Sequence, residues 1–136
     1  MEELGSPVTE VRYPDARRAV IDAVAALSDL EYQKRVWLDR VYPHANFYDD
    51  LDTNVHILYD DYRILPDPES ALGDVLLPGD EIERLRTLGR VLDPVIEELG
   101  DSPDARYLAH QQWTVVARTA GAVLSAMVLS GGCEQP

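Results

Sequence analysis

Between Ala109 and Met127 the apolar residues Ala109, Trp113, Val116, Ala120, Val123 and Met127 recur at steps of four, three, four, three and four. A strand cannot hold those positions on one side, because its side chains alternate. A helix stacks them in one stripe. Leu108, Val115, Leu124 and Val128 widen the apolar surface over further faces. A helix of this kind is expected at the centre of a bundle. Pro103-Asp104 is expected to start it and Gly131-Gly132 to end it.

The same periodicity marks the rest of the chain. After Tyr13-Pro14, Asp15 is expected to cap a helix with Ala19, Val20, Ala23, Val24 and Leu27 on its apolar face. Ser28-Asp29-Leu30-Glu31 reads as a capping box, with Ser28 at the cap of a second helix carrying Tyr32, Val36, Trp37 and Arg40 before Pro43. Leu51, Val55, Leu58, Tyr59 and Tyr62 set out a third helix, capped by Asp49 or Asp50 and stopped near Arg63 by Pro66 and Pro68. Residues 64–79 read as a loop. Ser70 to Leu77 is expected to make a short helical turn in it, tucking Leu72, Val75, Leu76 and Leu77 onto the core. A fourth helix opens at Asp80 with Leu85, Leu88, Leu92, Ile96 and Leu99 in one stripe and Gly100 as its C-cap. Pro94 is expected to kink or break it, with Asp93 as a new cap. The expected fold is all-α: one domain, a bundle of about five helices with the apolar C-terminal helix at the centre. Residues 1–12 are expected to be a flexible N-terminal segment, 13–131 the helical domain and 132–136 a tail.

Charge narrows the function classes. The 136 residues carry 12 basic and 25 acidic side chains, a formal net charge of −13. Residues 49–104 hold sixteen acidic and four basic side chains, so nearly all of the excess lies in the middle of the chain. A generic nucleic-acid binder is excluded, since phosphate backbones are bound by positive surfaces. Arg17-Arg18 and Lys34-Arg35 flank a short turn at Leu27-Ser28-Asp29, but Asp15, Asp22, Asp29, Glu31 and Asp39 neutralise that region. These basic residues are expected to pair with the acidic middle segment. The single cysteine, Cys133, excludes an intrachain disulfide framework and reads as a bystander in the tail. Met1 to Val8 contains no apolar signal core, and the charge-free run from Thr119 to Cys133 is shorter than a typical span of about 20 residues. A cytoplasmic protein away from membranes is expected.

No nucleophile elbow, phosphate loop or dinucleotide fingerprint occurs, and no cofactor is implied. The sharpest polar row is Asp52, His56 and Asp60, spaced by four so that one helix face presents all three. Carboxylates beside an imidazole can bind a divalent metal or relay a proton, which makes a metal-binding or hydrolytic domain one reading of this chain. His44 and His110 stand alone in sequence. The leading reading is a non-enzymatic interaction module. Tyr48-Asp49-Asp50 and Tyr59-Asp60-Asp61-Tyr62 interleave rings with carboxylates, a combination suited to holding and steering a basic protein partner. Small-molecule binding in an apolar pocket between helices, under the 64–79 loop, is a further reading. Gly121, Ala122, Ser125 and Ala126 suit either a close helix contact inside the domain or a homodimer seam.

Leu27-Ser28-Asp29-Leu30-Glu31-Tyr32-Gln33, Val36-Trp37-Leu38, Asn54-Val55-His56 and Leu58-Tyr59-Asp60-Asp61 together resemble a family of small acidic actinomycete proteins without assigned function. The likeness runs on through Leu72-Gly73-Asp74-Val75-Leu76 to Trp113 and the alanine-rich last helix. It implies a bacterial cytoplasmic origin and carries no catalytic residue. By analogy of kind, small acidic helical proteins with tyrosine and aspartate on one helix are similar to immunity proteins that inhibit nuclease toxins. An inhibitor-like role is therefore one concrete form of the interaction reading.

Overall fold

A computed structural model describes residues 10–131. Among them the chain is all-α, with helices α1 (Pro14–Ser28), α2 (Leu30–Tyr32), α3 (Leu51–His56), α4 (Asp80–Leu99), α5 (Asp104–Leu108) and α6 (Trp113–Ser130). Both α2 and α3 run on without a break into wider π-helical stretches, Gln33–Leu38 and Ile57–Asp61. Their closing bonds reach back five residues, from Asp39 N to Lys34 O at 2.9 Å and from Tyr62 N to Ile57 O at 3.3 Å. Each stretch ends at an arginine with positive φ, Arg40 at 58° and Arg63 at 52°. Glycine usually fills that left-handed cap. A short 3-10 turn, Pro68–Ala71, interrupts the following loop.

The three long helices form the frame, with α6 packed against both α1 and α4. Val116, Ala120, Val123 and Met127 of α6 are buried, as are Leu85, Leu88 and Leu92 of α4 and Val20, Ala23, Val24 and Leu27 of α1. Truncating any one of these leucines to alanine costs about 2–5 kcal/mol in cores of this kind. By length and composition α6 would also suffice to cross a bilayer, with a mean hydropathy of 1.4 over its 18 residues. Here its apolar stripe closes the core, while Leu129 at its end is 87% exposed. A Cβ built on Gly121 would lie 3.9 Å from that of Ser28, an ordinary van der Waals contact, so Gly121 faces α1 inside the domain.

Several local expectations are corrected. Pro14 occupies the first turn of α1 and Tyr13 the cap position, while Asp15 pairs with Arg18 at 3.0 Å. Asp29, and not Ser28, caps α2 by accepting from Tyr32 N at 3.0 Å, and Ser28 Oγ turns back to Ala25 O. Asp50, one of the two caps expected for α3, does cap it through Thr53 N at 2.8 Å. Leu72 is exposed, whereas Val75, Leu76 and Leu77 do pack inward. Pro94 sits inside an uninterrupted α4, so Asp93 caps nothing. The element expected from Pro103 to Ser130 is instead two helices. Its break at His110–Gln112 is held by Gln112 N donating to His110 Nδ1 at 3.0 Å, and Ala109 is exposed. Of the segment 1–12, Val11 is buried and Arg12 N bonds Gly73 O at 2.9 Å, so residues 11 and 12 belong to the folded unit. Residues 1–9 and the tail 132–136, with Cys133, lie outside the described residues.

Two buried polar groups lock the frame. Arg17 is fully buried and all five of its N–H donors are used. Nη1 and Nη2 form a two-pronged pair with Glu81, each at 2.7 Å. The other donors reach Val75 O at 3.0 Å, Met127 O at 3.2 Å and Gly131 O at 2.8 Å. Glu81, also fully buried, accepts from Leu77 N at 2.7 Å. The start of α1, the start of α4, the 75–77 loop and the end of α6 thus meet at one ion pair. Arg17 does pair with the acidic middle segment. At the other end Gln33 Nε2 holds Ala26 O and Leu27 O, each at 2.8 Å, and its Oε1 accepts from Trp113 Nε1 at 2.8 Å.

Candidate acidic interaction face

The residues singled out by sequence divide into two groups. Tyr48, Asp49 and Asp50 precede α3 and are largely committed to holding it. One Asp49 oxygen accepts from Tyr32 Oη and Trp37 Nε1, both at 2.8 Å, and the other accepts from Asn54 Nδ2 at 2.9 Å. Burial, followed by the hydrogen bond to Asp49, pushes the Tyr32 phenol well above the ordinary tyrosine range. The Tyr48 hydroxyl donates to Asp50. That bond, more than burial, raises the phenol to about 12. Burial acts to raise the Asp50 carboxyl, but the bonds from Tyr48 and Thr53 outweigh it and leave it below the usual value.

The second group follows α3. Tyr59 is half-buried and its hydroxyl donates to Asp93 of α4, which clips the π stretch to that helix. Asp60, Asp61 and Tyr62 are exposed. His56 stands between two carboxylates, with Nδ1 at 2.5 Å from Asp60 and Nε2 at 3.5 Å from Asp52. The hydrogen bond to Asp60 and the charge of Asp52 raise its pKa above the ordinary 6.5. A metal-bound imidazole is neutral and aims a ring lone pair at the ion. Here each ring nitrogen faces its own carboxylate, and Asp52, His56 and Asp60 do not enclose a common point. Among the described residues no three His, Cys, Asp or Glu side chains are grouped to hold a metal ion.

Beside this row lies a cleft of ≈ 630 Å³ between α3 and the α4–α5 corner. Leu51, Val55 and Ile96 give it an apolar floor; Asp52, Asp101 and Asp104 stand around it with His56, and no Lys or Arg lines it. Asp104 accepts from Leu51 N at 3.1 Å. Burial raises its carboxyl, and repulsion from Asp50 and Asp52 adds to the rise. Asp93, Asp101 and Asp104 escaped sequence reasoning because they are more than thirty residues from His56 in the chain. Their only early signal was the acidic excess of the 49–104 segment.

The remaining candidates fall elsewhere. His110 pairs with Glu98 at 3.0 Å. His44 packs against Phe47, ring centroids 5.8 Å apart. Trp37 and Trp113 are buried, and each donates its indole N–H to a side chain.

A family model described as a domain of unknown function, DUF7945, matches residues 11–134. The chain belongs to that family. No curated protein and no solved structure matches it. The DUF7945 match takes in both buried polar locks and every carboxylate of the acidic face.

Proposed function

We propose that this protein is a non-enzymatic interaction module that docks a basic protein partner on the acidic face formed by α3 with its π-helical extension and the α4–α5 corner. Support comes from one observation above all: the carboxylates around the α3–α4 cleft surround an apolar floor with no lysine or arginine in the lining. A partner's arginine or lysine would lay its aliphatic stem on Leu51, Val55 and Ile96 and set its charged head among Asp52, Asp101 and Asp104. Asp60, exposed one turn beyond His56, extends the face, whereas Asp61 and Tyr62 border a separate groove with Arg63 and the start of α1. A net charge of −13 would speed the encounter at low salt. An inhibitor- or immunity-like role in the cytoplasm is the concrete form of this reading.

The test is affinity capture at low and high salt with the wild-type protein and a variant carrying Asp52→Lys, Asp60→Lys and Asp101→Lys, followed by titration of the purified partner. A basic protein held by the wild type, released by salt and lost by a still-helical variant is the expected result. Equal retention by the variant would remove this face from consideration.

A further inference from the structure

We infer that a second concavity, the groove between α1 and the 43–57 segment, binds a small organic cation with an apolar body. It measures ≈ 520 Å³, within the range of small-molecule sites. Ala19, Asp22, Ala23 and Ala26 share one face of α1, at i, i+3, i+4 and i+7. Three methyl side chains leave α1 a recessed wall, with Ala23 and Ala26 buried at its base. The opposite wall is made by Pro43, Phe47, Tyr48 and Ile57, with Tyr32 beside them.

These walls are held in place before any ligand arrives. The Tyr32 hydroxyl is fixed on Asp49 and the Tyr48 hydroxyl on Asp50. Phe47 and Tyr48 both pack on Tyr42, with ring centroids 5.9 and 6.0 Å away. Fixed rings reduce the ordering cost of binding, and an aromatic face attracts cations; one face of Tyr32 already carries the Arg35 guanidinium, 6.0 Å from the ring centroid.

Charge selects the ligand. Asp22, Asp29 and Asp49 line the groove, and no Lys, Arg or His does. Asp29 Oδ1 accepts from Tyr32 N, and Asp49 is held by three donors, so exposed Asp22 and the second oxygen of Asp29 are the acceptors facing a ligand. An anion would be repelled by all three carboxylates. A neutral apolar molecule would gain nothing from them. An ammonium carried on a flat or short aliphatic body matches both the rim and the walls. The groove involves neither His56 nor the cleft beside α4, so this site stands independently of the docking face.

The experiment is an NMR titration of the full chain with phenethylammonium, against 2-phenylethanol and phenylacetate as its neutral and anionic counterparts. The cation is expected to saturate with shift changes at Ala19, Ala23, Ala26 and Phe47. The alcohol is expected to bind at least about tenfold more weakly, a factor that one well-placed ionic contact supplies. Asp22→Asn combined with Asp29→Asn is expected to weaken the cation about tenfold while circular dichroism stays unchanged, because asparagine keeps the α2 cap. Ala19→Leu, at a half-buried position, is expected to block the groove. Any of four results overturns the inference: no saturation below about 10 mM, equal binding of the alcohol, shifts confined to the cleft around Asp52 and Asp101, or tighter binding of a lysine-bearing peptide to the same groove.

Discussion

Replacing Arg17 with methionine, a side chain of similar reach without charge, tests whether the ion pair under α6 governs the whole fold. Glu81 would be left as a fully buried carboxylate with Leu77 N as its one remaining hydrogen-bond donor. Removing one partner of a buried pair costs about 3–5 kcal/mol, because the other charge is stranded. The carbonyls of Val75 and Met127 also lose buried donors, at about 1–3 kcal/mol for each that finds no water. A domain of this size has about 5–15 kcal/mol in total. The variant is therefore expected to lose a third or more of its stability, a fall in Tm of roughly 10–20 °C. Urea denaturation followed by tryptophan fluorescence would measure it. Arg17→Met with Glu81→Leu removes both charges and is expected to be more stable than Arg17→Met alone by about 2 kcal/mol. A single variant that loses less than about 1 kcal/mol, or a double variant no better than Arg17→Met, would refute the reasoning.

His56 is expected to titrate above 6.5 by NMR, and Asp60→Asn to bring its midpoint back towards that value. Because its folded pKa is the raised one, its contribution to stability is fully present below the unfolded value and is lost as pH rises through the folded one. Asp49→Ala removes the acceptor shared by Tyr32, Trp37 and Asn54; a loss of about 2–4 kcal/mol with a shifted Trp37 emission is expected in chemical denaturation. Arg63 holds a left-handed conformation at φ 52°. Arg63→Gly is accordingly expected to stabilise the fold by about 1 kcal/mol, read as a higher urea midpoint.

The long helices were legible because Leu85, Leu88 and Leu92, or Val116, Ala120 and Val123, repeat on a single face whatever lies opposite. Caps were legible to within one residue at α2 and α3 and to within two at α1. Asp29 took the position expected of Ser28 because its carboxylate reaches Tyr32 N, while the Ser28 hydroxyl found a carbonyl behind it. The break between α5 and α6 had no proline or glycine to mark it. It follows from contacts that close only in three dimensions: Tyr107 donating to Gly100 O and Trp113 donating to Gln33. The polar locks were invisible for the same reason, since Arg17 lies 64 residues from Glu81 and Gln33 lies 80 from Trp113. Within the candidate site, the row Asp52, His56 and Asp60 was readable from spacing alone. That Asp49 would be drawn inward while Asp60 and Asp61 stayed in solvent depended on Tyr32 and Trp37, which belong to another helix.

The two π-helical stretches carry a consequence for reading this family's kinship. One additional residue per turn is taken up by the wider turn, so the residues beyond it keep roughly the face they would have without it. A relative that lacks a single residue within 33–38 or 57–61 would regain the ordinary helical pitch and keep its next side chains on the same face, each one place earlier in the chain. Gap placement there therefore decides which aspartate counts as the counterpart of Asp60. Relatives differing by one residue in either stretch have to be matched by what each side chain holds, as Tyr59 holds Asp93, and not by counting along the chain.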